Sequence, residues 1–217
     1  MIGLFSDSHG DLVAFDRAFE LLCLKGAKRF FFAGGRYTDL EEWIAARKTK
    51  ARGDREYGED DFLTDITNFL SAKSQLPRPP AFSGESPAEP DRLKERFVRS
   101  PERDSLQYLD ANIGKTAMDM IGDTLCCIVH DKNDLTRENM QNALIFVHGK
   151  ESEPKVVQIG PRFFIAPGTL TGAAEQTCGL LERVEKNLAF SAFALDGRTL
   201  IDKQLLVLDR RSKLSAK

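Results

Sequence analysis

Apolar and polar positions alternate along this chain with periods that change from segment to segment. IGLFSD, residues 2–7, is a continuous apolar run of strand length ending in an acid, the sign of a strand covered on both faces. From Asp11 to Lys25 the apolar residues Leu12, Phe15, Phe19 and Leu22 recur at three and four, and Gly26 supplies a stop, so the spacing predicts an amphipathic helix. RFFFAG, residues 29–34, is a second buried strand. Strand, helix and strand in so short a span predict a right-handed parallel unit. Its geometry sets the two strand ends, Asp7–Gly10 and Gly34–Arg36, side by side on the edge where open α/β sheets bind ligands.

Thr38 and Glu41 form a capping box for a helix over TDLEEWIAAR. Residues 47–61 are nearly all charged or small. A second amphipathic pattern follows with Phe62, Leu63, Ile66, Phe69 and Leu70. Residues 77–90, PRPPAFSGESPAEP, hold five of the nine prolines, which rules the segment out as a core element. The stretch 47–95 reads as an insertion with a proline-rich loop on a single domain spanning 1–217, because compact domains seldom carry structureless loops longer than about 12–15 residues.

Strands dominate the remainder. KTAMDMIG and DTLCCIVH predict a hairpin turning at Gly122–Asp123, ALIFVHG another buried strand, and KVVQIGPRFFIAPG a further hairpin. CGLLERV, LAFSAFAL and KQLLVLD continue the pattern, with a turn at Asp196–Gly197. Strands and helices alternate early and strands cluster late. The fold class expected is therefore α/β, two β-sheets packed face to face and flanked by helices.

Composition narrows the function. With 31 basic and 33 acidic residues the net charge is −2, so no overall field draws the chain to nucleic acid or to an anionic membrane. Cys23, Cys126, Cys127 and Cys178 lack metal-type spacing, and three of them, inside or beside apolar runs, read as small core hydrophobes in a reducing compartment. No basic leader or long apolar stretch is visible, and the cytoplasm is the expected location.

The chemistry lies in the three histidines. His9 follows IGLFSDS, His130 ends TLCCIVH, and His148 ends LIFVH, so each stands at or just beyond the end of an apolar strand. Asp7 precedes the first by two positions. Imidazole and carboxylate are the usual ligands of zinc, manganese and iron, which makes these strand ends a candidate metal site.

In these blocks the chain resembles the calcineurin-like metallophosphoesterases, in particular their small bacterial phosphodiesterase branch and the retromer scaffold subunit that shares the fold. The family's motifs run D-x-H-G, G-D, G-N-[HC]-D, a strand-end H, G-H-x-H and N-P-G-S. Here they correspond to DSHG at Asp7–Gly10, Gly34–Gly35, FVRSPERD ending at Asp104, IVHD at His130, VHGK at His148–Lys150, and APGT at Ala166–Thr169. The correspondence covers residues 1–46 and 97–210. The resemblance implies a four-layer αββα fold with two metals at the strand ends.

Several positions depart from that pattern. The aspartate that bridges the two metals in the family is Gly35, the third-block asparagine is Glu102, the leaving-group histidine or cysteine is Arg103, and the last histidine is Lys150. Two divalent ions about 4 Å apart repel by about 16 kcal/mol at an effective dielectric of 20, and glycine cannot offset that as a bridging carboxylate does. Asp39 could swing in, but it stands at a capped helix start and is assigned to the helix dipole. Lys150 either supplies an ammonium in place of the first ion or points to solvent.

The metal candidates carried over are Asp7, His9, Glu102, His130 and His148. Arg103 and Asp104 are the catalytic candidates, and Arg36 and Lys150 the substrate-binding ones. At most one divalent ion (manganese, zinc or iron) is expected, or none. The leading expectation is a binding or scaffold role with reduced or absent phosphoesterase activity, and with a protein partner engaged through residues 47–95. The alternative is a phosphoesterase or phosphodiesterase using one metal at Glu102, His130 and His148. A third reading, binding a phosphate-containing small molecule without turnover, is not separated from these by sequence.

Overall fold

The computed structural model describes residues 1–36, 38–53, 90–99, 115–172 and 174–208. The chain divides into two compact units, Met1–Trp43 with Glu95–Lys217, and Ile44–Lys94. The helix expected around Phe62–Leu70, the proline-rich segment, and Glu102, Arg103 and Asp104 all lie outside the described residues.

The first unit is built as the apolar pattern predicts. β1 (Ile2–Phe5), α1 (Leu12–Leu24) and β2 (Arg29–Phe32) form the parallel unit, with Ile2 opposite Arg29 and Phe5 opposite Phe32. α1 is capped by the Asp11 carboxylate, which accepts from the Ala14 amide at 2.9 Å. α2 begins at Thr38 and runs to Gly53. β3 (Phe97–Arg99) pairs parallel with β2.

The remaining strands are β4 (Thr116–Ile121), β5 (Thr124–Val129), β6 (Ile145–His148), β7 (Pro154–Ile159), β8 (Arg162–Pro167), β9 (Thr177–Val184), β10 (Asn187–Ala194) and β11 (Thr199–Leu206). They complete two mixed sheets, a six-stranded one in the order β11-β10-β9-β1-β2-β3 and a five-stranded one in the order β4-β5-β6-β8-β7. The hairpins β4–β5 and β7–β8 fall where the turn residues place them.

One hydrophobic core joins the sheets. Leu4, Phe31, Leu181 and Phe190 from the first meet Cys126, Ile128, Ile145, Val147 and Ile165 from the second. Strand periodicity then sends the alternate residues outward. On the far side of the six-stranded sheet, Phe5, Phe30 and Phe97 meet Phe15, Phe19 and Trp43. On the far side of the five-stranded sheet, Cys127, Phe146 and Phe164 pack under Ala143 and Met140 at the short helix Arg137–Asn142. Among the described residues no helix is long and apolar enough to cross a membrane.

Candidate functional site

Parallel pairing of β1 with β2, and of β5 with β6, brings the C-terminal strand ends together, and the loops that leave them enclose a cavity of about 660 Å³. Asp7, His9, Gly35, Arg36, His130 and Lys150 all line it. Five of these, scattered over more than a hundred residues of chain, are sequence candidates.

Asp7 is the tie between the loops. It is buried, and its Oδ1 accepts the Gly35 amide at 2.7 Å while Oδ2 accepts the Lys150 amide at 3.3 Å. Its own carbonyl accepts from the Leu170 amide at 2.9 Å and from the Thr169 hydroxyl at 3.0 Å. One residue thus holds the ends of β1, β2, β6 and β8 in register.

A second carboxylate braces the DSHG loop. Asp39, 1% exposed, accepts the Ser8 hydroxyl at 2.7 Å and the Gly10 amide at 2.8 Å on one oxygen. The Arg36 Nε stands 3.9 Å from the other. Assigning Asp39 to the helix dipole was therefore incomplete. It stands in the first turn of α2, yet its oxygens are spent on the loop that carries His9. That loop leaves His9 exposed with φ +45°, a left-handed conformation that a non-glycine residue holds only when its surroundings impose it.

His130 continues the inward-facing parity of Cys126 and Ile128 and so reaches the cavity, where it is 5% exposed. Its Nδ1 lies 3.1 Å from the Ala33 carbonyl oxygen. A carbonyl only accepts, so Nδ1 carries the hydrogen, and in the neutral ring Nε2 presents a lone pair. Nε2 lies against Gly35: a Cβ at that position would stand 2.9 Å from it. Gly149 is closed off in the same way, since its Cβ would fall 2.1 Å from the Ala33 carbonyl oxygen.

Two expectations need correction. His148 follows Phe146 in parity, while Ile145 and Val147 face the core between the sheets. It is buried, donates its Nδ1–H to the Gly149 carbonyl oxygen at 3.1 Å, and is not among the side chains lining the cavity. Burial is the main cause holding its pKa below the ordinary value. Lys150, in turn, neither occupies the place of an ion beside Asp7 nor points free into solvent. With φ +59° it turns its amide to Asp7, while its ammonium pairs with Asp131 at 2.5 Å. The hydrogen bond from Lys150 is the main cause holding the Asp131 carboxyl below its usual range.

The sequence reading missed Asp131 and Glu151. Both follow histidines at the ends of the paired strands β5 and β6, and that register was the available signal. Glu151 accepts from Lys132 at 2.7 Å and from Lys155 at 2.6 Å, and these bonds bring its pKa down to about 2.

The donor set can be tested against a metal. Among the described residues no three His, Cys, Asp or Glu side chains come together closely enough to hold an ion. Catalytic zinc-type sites use three protein ligands and an open position. Both Asp7 oxygens already take backbone amides, and Gly35 has no room for a side chain under His130 as it stands. The described residues do not fit a two-metal centre.

No family model and no curated protein matches the chain. Solved structures do. A predicted phosphoesterase from Streptococcus pneumoniae superposes with TM-score 0.50 at 16% identity, over 91% of this chain and 91% of that one. The phosphoesterase Yfce from E. coli gives TM-score 0.50 at 19% identity over 96% and 99%. Vps29 from Entamoeba histolytica, described in complex with zinc, gives 0.50 at 14% over 95% and 99%. Likeness over nearly the whole length of each partner, with the two sheets and strand-end cavity described above, gives this chain the calcineurin-like metallophosphoesterase fold.

Proposed function

We propose that the chain is a binding module on the metallophosphoesterase fold, with metal-dependent phosphoesterase activity reduced or absent. The observation that carries this reading is the closure of Gly35 by His130: the imidazole stands 2.9 Å from where the first side-chain atom of a bridging carboxylate would be. A two-metal site needs that carboxylate to offset the repulsion between its ions. The compact unit Ile44–Lys94, which overlaps the expected insertion 47–95, supports a partner surface on that segment.

One observation favours the second reading, a phosphoesterase with a single divalent metal. His130 has its Nδ1–H anchored on a carbonyl and its Nε2 free, the arrangement that orients a metal-ligating histidine. In that reading Glu102 joins His130 as a ligand, His148 would have to turn into the cavity to complete the set, Arg36 holds the phosphate, and Arg103 and Asp104 serve the leaving group.

Calorimetric titration with Mn2+ and with Zn2+, alongside hydrolysis of an aryl phosphodiester in each metal, separates the two. The binding module is expected to take up no stoichiometric metal and to leave hydrolysis at the background rate. One tightly held ion with metal-dependent turnover establishes the enzyme instead.

A further inference from the structure

Two buried carboxylates brace the cavity loops, and their charges are treated differently. Asp39 has a cation within reach, the Arg36 guanidinium at 3.9 Å. Asp7 has none. Its partners are the neutral amides of Gly35 and Lys150, the Lys150 ammonium is committed to Asp131, and the nearest imidazole nitrogen, His130 Nδ1 at 3.6 Å, gives its hydrogen to Ala33. A buried carboxylate is ordinarily matched by a positive charge, because backbone dipoles only partly replace the water it has lost.

Beside it lies a second unmet acceptor. The His130 Nε2 belongs to a side chain 95% removed from solvent, has no hydrogen-bond partner among the described residues, and borders the cavity next to Gly35. Asp7 and His130 thus give the cavity floor one charged and one neutral acceptor without a cationic donor of their own, on a lining where Arg36 pairs with Asp39 and the Lys150 ammonium with Asp131.

We propose that this floor is a receptor for an organic N–H cation, a primary ammonium or a guanidinium, donating to Asp7 Oδ2 and His130 Nε2. The proposal rests on the reading that the cavity is not a two-metal centre. A cation of this kind needs no third charged ligand and no fixed coordination geometry. The buried Thr171 hydroxyl, unpaired among the described residues and on the same cavity wall, offers it a further acceptor. The surroundings point to a lysine or arginine side chain of a partner peptide. The cavity shares Ser152 and Gly172 with an adjoining hollow of about 600 Å³ lined by Glu153, Glu175, Leu200 and Ile201, where Glu175 is already paired with Arg198. An extended segment carrying a basic residue among apolar ones would meet the Glu153 charge and the apolar pair there.

The test is a nitrogen-15 NMR titration of the His130 ring in the full chain at about pH 8, where an ordinary imidazole is neutral. Methylguanidinium is expected to move the Nε2 resonance, and tetramethylammonium, which has the charge but no N–H, to leave it in place. Asp7→Asn is expected to weaken the methylguanidinium response about tenfold or more, the usual weight of a charge-assisted hydrogen bond. The wild-type probe series decides the matter even if that variant misfolds. A capped Leu-Arg-Leu peptide binding more tightly than methylguanidinium supports the cation site with a protein source, and equal affinity supports it with a free amine as source. No movement with any N–H cation, or equal movement with tetramethylammonium, overturns this proposal alone. Stoichiometric zinc taken up at His130 overturns it together with the binding-module reading.

Discussion

The wall behind the six-stranded sheet and the cavity at the strand ends are held by opposite kinds of force. In the wall, Phe15 sits 5.0 Å from Phe5 and 5.0 Å from Trp43 between ring centroids, and Phe19 sits 4.7 Å from Trp43 and 4.9 Å from Phe30. These contacts are non-directional, numerous and dry. The Trp43 indole nitrogen donates to Asp16 at 2.8 Å, and the Arg96 guanidinium lies over the Phe19 and Phe30 rings. At the cavity a few directional bonds to Asp7 and Asp39 do the same work of joining β1, β2 and α2. Removing a ring from the wall therefore endangers the fold, whereas altering the cavity retunes a site on a scaffold that survives.

Breaking the wall should have the largest effect. Phe15 is fully buried, and Phe15→Ala is expected to lower unfolding free energy by about 3–5 kcal/mol in a denaturant titration. A loss below 1 kcal/mol would show that the ring cluster is not the fold's main support on that side.

Gly35→Asp comes next. Its side chain must displace the His130 ring from the Ala33 carbonyl, with an expected loss of about 1–3 kcal/mol and no stoichiometric divalent metal bound. Retained stability together with metal uptake would mean that the closure of the site is easily reopened, and the contrast between wall and cavity would fail.

Asp39→Ala should cost roughly 1–2 kcal/mol, since it leaves the buried Ser8 hydroxyl and the Gly10 amide without their acceptor. Hydrogen exchange should accelerate at Gly10 while the amides of β1 keep their protection. Acceleration through β1 would show that loop and wall are one cooperative unit.

The smallest effect concerns pH. Glu151 has a folded pKa of about 2 against an ordinary 4.5, so its ion pairs contribute stability that is full above pH 4.5 and is lost as pH falls through about 2. Lys132 and Lys155 are half exposed, which holds the contribution below about 1 kcal/mol. Glu151→Gln should flatten the acid limb of the stability profile over that window, and an unchanged limb would remove these pairs from the account.

Much of this was readable along the chain. The three-and-four spacing of Leu12, Phe15, Phe19 and Leu22 predicts α1 within a residue of each end, and the turn at Gly122–Asp123 places the β4–β5 hairpin. The strand-end positions of Asp7, His9 and His130 correctly put them in one cavity. His148 was misread although its parity was available: it alternates with Val147, and Val147 faces the core.

What the sequence by itself determined is the set of elements, their apolar faces and the edge where polar strand ends gather. These follow from periodicity, which depends only on neighbours in the chain. Only the tertiary structure decided the partners of the polar groups there. That the Lys150 ammonium goes to Asp131 while its amide goes to Asp7, that Asp39 braces the DSHG loop, and that the His130 ring closes over Gly35 each depend on distances between loops far apart in sequence. Hydrogen bonds are directional and fade within an ångström of their optimum, so no local pattern can specify them before the strands are packed.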